Sequence, residues 1–125
     1  MHLSFQNIAT ITAAICFALA VVWLLLPQRL LSIWGVNNYS YPVGLVSRRG
    51  GALFLGIGVM FFLARNAELS PSRTALSAGF IVGCLALASL GIVEFATKRA
   101  RIGILLAVLV EIMLAAAFSI QLSST

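Results

Sequence analysis

Four long apolar stretches, separated by short polar segments, run through the 125-residue chain. The first covers residues 8–26, about 19 positions without a charge. At 1.5 Å of helical rise per residue it spans about 28 Å, close to the ~30 Å thickness of a bilayer's hydrocarbon core. Pro27 follows, and because it lacks an amide donor and clashes with the preceding turn, it is expected to end the helix. No Lys or Arg lies among the first seven residues, so the run reads as a retained membrane helix and not as a cleaved signal peptide. The second stretch, residues 42–64, is interrupted by Arg48 and Arg49, which leave only about 15 uncharged positions after them, short for a span. A helix that crosses the bilayer here must begin before the arginines. Residues 75–96 and 102–122 form the third and fourth stretches and contain Glu94 and Glu111.

The connections refine this picture. Residues 65–74 include Asn66, Ser70, Pro71 and Ser72, a loop in which Ser70 or Ser72 is expected to cap the next helix, and residues 97–101 form a tight basic turn. Such short links make sequential helices antiparallel neighbours. The longer connection, residues 28–41, carries Leu30, Leu31 and Trp34 at helical spacing before Gly35, Asn37 and Asn38, a pattern suited to lying along the membrane interface. The expectation is an all-α integral membrane protein, an antiparallel four-helix transmembrane bundle forming one domain over residues 1–125.

Composition excludes the soluble alternatives. The chain is 62% hydrophobic and 9% charged, against roughly 25% charged residues in soluble domains. A net charge of +5 could suggest nucleic acid, but the basic residues stand singly or in short groups at the ends of apolar runs, with no recognition module, so no nucleic-acid partner is expected. The same placement speaks to orientation. Arg29, Lys98, Arg99 and Arg101, with Arg48 and Arg49 nearby, fall on one side, and Arg65 and Arg73 fall on the other with Glu68. By the positive-inside rule both termini face out. Trp23, Trp34, Tyr39 and Tyr41 gather on the cytoplasmic side as an aromatic belt.

Small residues recur at four-residue spacing. Gly44, Ala52 and Gly56 flank Arg48; Ala75, Gly79 and Gly83 include a GxxxG; Gly103, Ala107, Ala115 and Ser119 bracket Glu111. Such stripes let helix backbones approach, so Gly51, Ala52, Gly56, Gly79, Gly83, Ala107 and Ala115 are expected to pack helices within one chain or between copies. Arg48 and Glu111 lie on these stripes, and Glu94 lies about 20° around its helix from Gly83. These three are the candidate intramembrane polar cluster. A lone carboxylate near the midplane is expected to bond Arg48 or to be held neutral by backbone or serine groups, either as a structural ion pair or as a proton or substrate site. Arg49 falls on a different face and is expected to snorkel to the headgroups.

No cofactor or metal is expected. The single histidine, His2, precedes the first span, so two membrane histidines for a haem are missing. Cys16 and Cys84 lie mid-helix and read as small apolar packing residues. There is no Asp, no Ser-His-Asp set and no phosphate loop, so catalysis is not expected.

The string Arg48-Arg49-Gly50-Gly51-Ala52-Leu53-Phe54-Leu55-Gly56-Ile57-Gly58, followed by Leu63-Ala64-Arg65 and Ser72-Arg73, resembles a pattern in DoxX-like and related domain-of-unknown-function proteins, which are small four-helix proteins of the bacterial inner membrane. Glu94 and Glu111 are not part of that pattern. Small multidrug transporters also have four short helices and a membrane glutamate, but their acid lies in the first helix, where this chain has none.

The leading functional expectation is an accessory, assembly or interaction subunit in the bilayer, meeting a membrane-protein partner or its own copies. The alternative is a small oligomeric transporter or proton-linked channel in which Glu111 titrates and Arg48 tunes it. A quinone-associated redox subunit comes third, on family analogy alone.

Overall fold

A computed structural model describes residues 4–37 and 40–123; His2, Asn38 and Tyr39, which enter the sequence reading, lie outside the described residues. The described residues form helices and no strand: α1 Phe5–Leu25, α2 Pro27–Ile33, α3 Tyr41–Ala64, α4 Pro71–Ala96 and α5 Ile104–Ser123. The four longer helices are each long and apolar enough to cross a membrane, and the protein is a polytopic membrane protein.

Local chemistry sets the helix starts. All three prolines of the chain occupy the first turn of a helix, Pro27 in α2, Pro42 in α3 and Pro71 in α4, where a missing amide donor is no loss. Pro27 thus ends α1 and immediately opens α2, so the connection after the first span begins as a short helix. The Ser4 hydroxyl accepts a hydrogen bond from the Asn7 amide at 3.2 Å, and of the two candidate caps for α4 it is Ser70 that accepts from the Arg73 amide, also at 3.2 Å. The turn after α4 closes in a Schellman arrangement. The Arg99 amide donates to the Glu94 carbonyl and the Lys98 amide to that of Phe95, with Lys98 in the left-handed region at φ 63° where glycine is usual.

The four spans assemble as two antiparallel pairs, α1 with α3 and α4 with α5. In the first pair, a Cβ at Gly51 would come within 2.8 Å of the Trp23 Cβ, and one at Gly58 within 2.9 Å of the Phe17 ring. Gly44, Gly51 and Gly58, seven residues apart, are all buried, and the heptad spacing keeps them on one seam facing α1. In the second pair, Gly91 plays the same part against Val108.

The pairs meet at their two ends. At the end that holds Ser4 and Ser123, each long helix contributes one phenylalanine to an aromatic quartet of Phe5, Phe61, Phe80 and Phe118. Phe118 lies 5.3 Å from both Phe61 and Phe80, and 6.4 Å from Phe5. Arg73 stacks over Phe5 at 4.3 Å and donates to the Ala67 carbonyl at 3.2 Å, so α4 and its preceding loop close over α1. At the opposite end the Trp34 indole packs edge-on to Trp23 at 5.3 Å, and the Trp34 carbonyl accepts from the Arg101 amide at 2.9 Å. Gly103 lies against the backbone of Ile33, and Gly35, at φ 90°, lies against the Arg101 side chain. The segment after α2 therefore ties one pair to the other.

Truncating Phe118, which is fully buried at the centre of the quartet, removes contacts with three rings. Phe118→Ala is expected to destabilise the chain by roughly 3 kcal/mol, the lower end of the range for buried phenylalanines, because lipid replaces part of the lost apolar contact. Gly51→Val is expected to cost about 1–3 kcal/mol by overpacking the α1–α3 seam, whereas Gly56→Val, where nothing lies within 4 Å, should stay within about 0.5 kcal/mol. Unfolding in mixed micelles checks all three; equal losses for the two glycine variants would contradict the assigned seam.

Candidate functional site

Between their tied ends the two pairs part. The space left is a cleft of about 350 Å³ lined from α1, α3, α4 and α5, within the ~300–1,000 Å³ range of ligand pockets. Cys16 and Cys84, both near the middle of their helices, set its depth well inside the membrane. Helices α1 and α5 touch whereas α3 and α4 scarcely do. Gly79, Gly83 and Leu87 of α4 and Met60 of α3 are lining residues that remain exposed, so the opening lies on the α3–α4 side, toward lipid.

Helical periodicity explains which residues reach the cleft. On α4, Leu76, Gly79, Phe80, Gly83, Cys84 and Leu87 repeat every three or four positions and form one stripe. On α5, Val108, Ala115 and Phe118 are buried, and Val110, Glu111 and Leu114 line the cleft on the adjacent face. Glu111 sits seven residues into α5, about 10 Å along the helix axis from Ile104. Its carboxyl is the one acidic or basic group in an otherwise apolar and aromatic lining completed by two thiols. Among the described residues no hydrogen bond or ion pair reaches it.

The structure does not bring Arg48, Glu94 and Glu111 together. Glu94 sits in the last turn of α4, where its Oε1 lies 3.6 Å from Arg99 Nη1 in an exposed pair, a geometry that contributes little to stability. Arg48 is exposed on α3 and makes no ion pair among the described residues. The physical reason is rotation: Gly51 and Gly58, not Ala52 and Gly56, form the buried seam of α3, so the Arg48 stripe is turned away from α5. Arg49 is exposed as well.

The small residues divide similarly. Gly51 and Ala115 are buried and Ala107 is half-buried. Ala52 and Gly56 are exposed, and nothing lies within 4 Å of a Cβ at Gly56, Gly79 or Gly83. The GxxxG of α4 therefore forms a wall of the cleft and is not a contact with another helix of the chain. Cys16 and Cys84 are free and buried thiols, and Cys16 packs against Gly58 as a small apolar residue would. Among the described residues no cluster of three or more His, Cys, Asp or Glu could hold a metal ion.

Sequence reading missed three buried polar residues, none of which lines the cleft. Thr12 and Ser77 are fully buried, and their hydroxyls have no hydrogen-bond partner within the described residues; Gln121 is also buried, near the end of α5. Polar side chains inside otherwise apolar spans are the signal that marks such positions, since lipid cannot satisfy them. Compared with protein-family models, curated proteins and solved structures, the chain matches none.

Proposed function

We propose that the protein is a non-catalytic accessory subunit of the bilayer whose own contribution is to hold an apolar ligand in the cleft between its helix pairs. The observation that carries this reading is the lateral opening: exposed Gly79 and Gly83 leave a gap between the side chains of the α4 wall, so a molecule dissolved in lipid can lie against the helix backbone there. An apolar guest gains little by leaving lipid for an apolar wall, so binding of this kind depends on shape and on a polar group that orients it. Glu111 supplies such a group. The same carboxyl motivates the transporter reading, in which it would bind and release its guest alternately.

A second reading, a protein partner or a second copy docked on the outer face of α3, is favoured by Arg48, Ala52 and Gly56. These residues lie on one exposed stripe, with open space beside Gly56. The DoxX-like resemblance of residues 48–58 and the bacterial inner membrane belong to this proposal, as does the orientation with both termini outside. That orientation rests on Arg29, Lys98, Arg99 and Arg101 at one end of the helices against Arg65 and Arg73 at the other.

Mass spectrometry of the tagged protein released from its own membranes in mild detergent, as intact complexes and as an organic extract, tests both readings. An apolar small molecule bound in fixed ratio is expected, and it should be lost from Gly79→Leu/Gly83→Leu, which fills the cleft. An identical extract from wild type and the double variant would sink the cleft reading. A stoichiometric second protein displaced by Gly56→Leu would establish the α3 face instead.

A further inference from the structure

We infer that the cleft is a binding site for a lipophilic organic cation, a compact apolar or aryl-bearing ammonium or phosphonium, with Glu111 as its counter-ion. The inference rests on the cleft-binding reading above and names the chemistry of the guest. Three observations carry it. First, Glu111 is the single charge-bearing carboxyl of the lining, no Lys or Arg lines the cleft with it, and no group of the described chain is bonded to it. A carboxylate facing hydrocarbon without a partner is costly, and a bound cation removes that cost where the protein itself does not.

Second, Phe54, Phe61 and Phe80 line the same space. The negative faces of aromatic rings favour a cation whose charge is spread and weakly hydrated. A small hydrated cation would need several oxygen ligands, and one carboxyl is the only side-chain oxygen group of this lining. Third, the volume of about 350 Å³ and the opening toward lipid suit a guest that is already partitioned into the bilayer. The chain's own cations do not compete for the carboxyl: Arg99 is engaged with Glu94, Arg73 stacks on Phe5, and Arg48 lies on the outer stripe of α3.

Three probes of similar bulk and different charge test the inference on the full chain in phosphatidylcholine nanodiscs, with empty discs subtracting partition into lipid. They are tetraphenylphosphonium, tetraphenylborate and the neutral triphenylphosphine oxide. Saturable, stoichiometric binding of the phosphonium is expected, weakened about tenfold or more by Glu111→Gln and abolished by Gly83→Leu. The oxide should be held alike by wild type and Glu111→Gln, and the borate excluded. Wild type alone is decisive if Glu111→Gln does not fold: borate or oxide bound as tightly as the phosphonium overturns the cation assignment and leaves apolar-ligand binding standing. Absence of saturable binding by all three overturns both this inference and the reading on which it rests.

Discussion

Inside a bilayer, apolar side chains gain nothing from leaving lipid for one another, so the helices of this protein cannot be held together by hydrophobic burial. What remains is close packing and polar contact, and the chain concentrates both. Buried glycines bring α3 against α1 and α4 against α5 at distances that a Cβ would not tolerate. Between the pairs, the aromatic quartet centred on Phe118 holds one end, and the hydrogen bond from the Arg101 amide to the Trp34 carbonyl, with the paired indoles of Trp23 and Trp34, holds the other. Because packing is localised at these points, the middle is free to stay open.

The cleft follows from that distribution. Its α4 wall includes Gly79 and Gly83, a spacing that ordinarily marks helix contact, yet nothing lies within 4 Å of a Cβ at either. Its α5 wall carries a carboxyl that the chain's own arginines leave alone. Both features work against compactness: a chain under pressure only to be a tight bundle would place leucine at Gly79 and Gly83 and an apolar residue at Glu111. Residues that break a local packing rule without compensation inside the structure are where function is to be sought.

Much of the architecture was legible in the sequence because hydrocarbon thickness and charge placement constrain it strongly. The four spans, the helix break at Pro27, the cap at Ser70 and the basic turn before Ile104 all follow from local chemistry. Side-chain pairing did not, because it depends on how each helix is rotated about its axis. Stripes at four-residue spacing through Ala52 and Gly56 pointed α3 one way, whereas the seven-residue series Gly44, Gly51 and Gly58 turned it another and carried Arg48 out of reach of Glu111. A heptad is the period that stays in register with a neighbouring helix, and it was present in the sequence. The separation of the bundle into pairs was not, since it rests on contacts between residues as distant as Trp34 and Arg101. Glu94 and Glu111 looked alike in composition but differ in depth, one in the last turn of α4 beside Arg99 and the other seven residues into α5.

Each helix pair is contiguous along the chain, the first complete by Ala64 and the second confined to Pro71–Ser123. The order of the chain therefore lets the first hairpin bury its glycine seam before the second exists. Docking waits for the last part of the chain, since the quartet lacks its central ring until Phe118 has emerged and the tie at Trp34 lacks its donor until Arg101 has. The cleft is thus the seam between the two hairpins, and its walls come together only after the last span has been made.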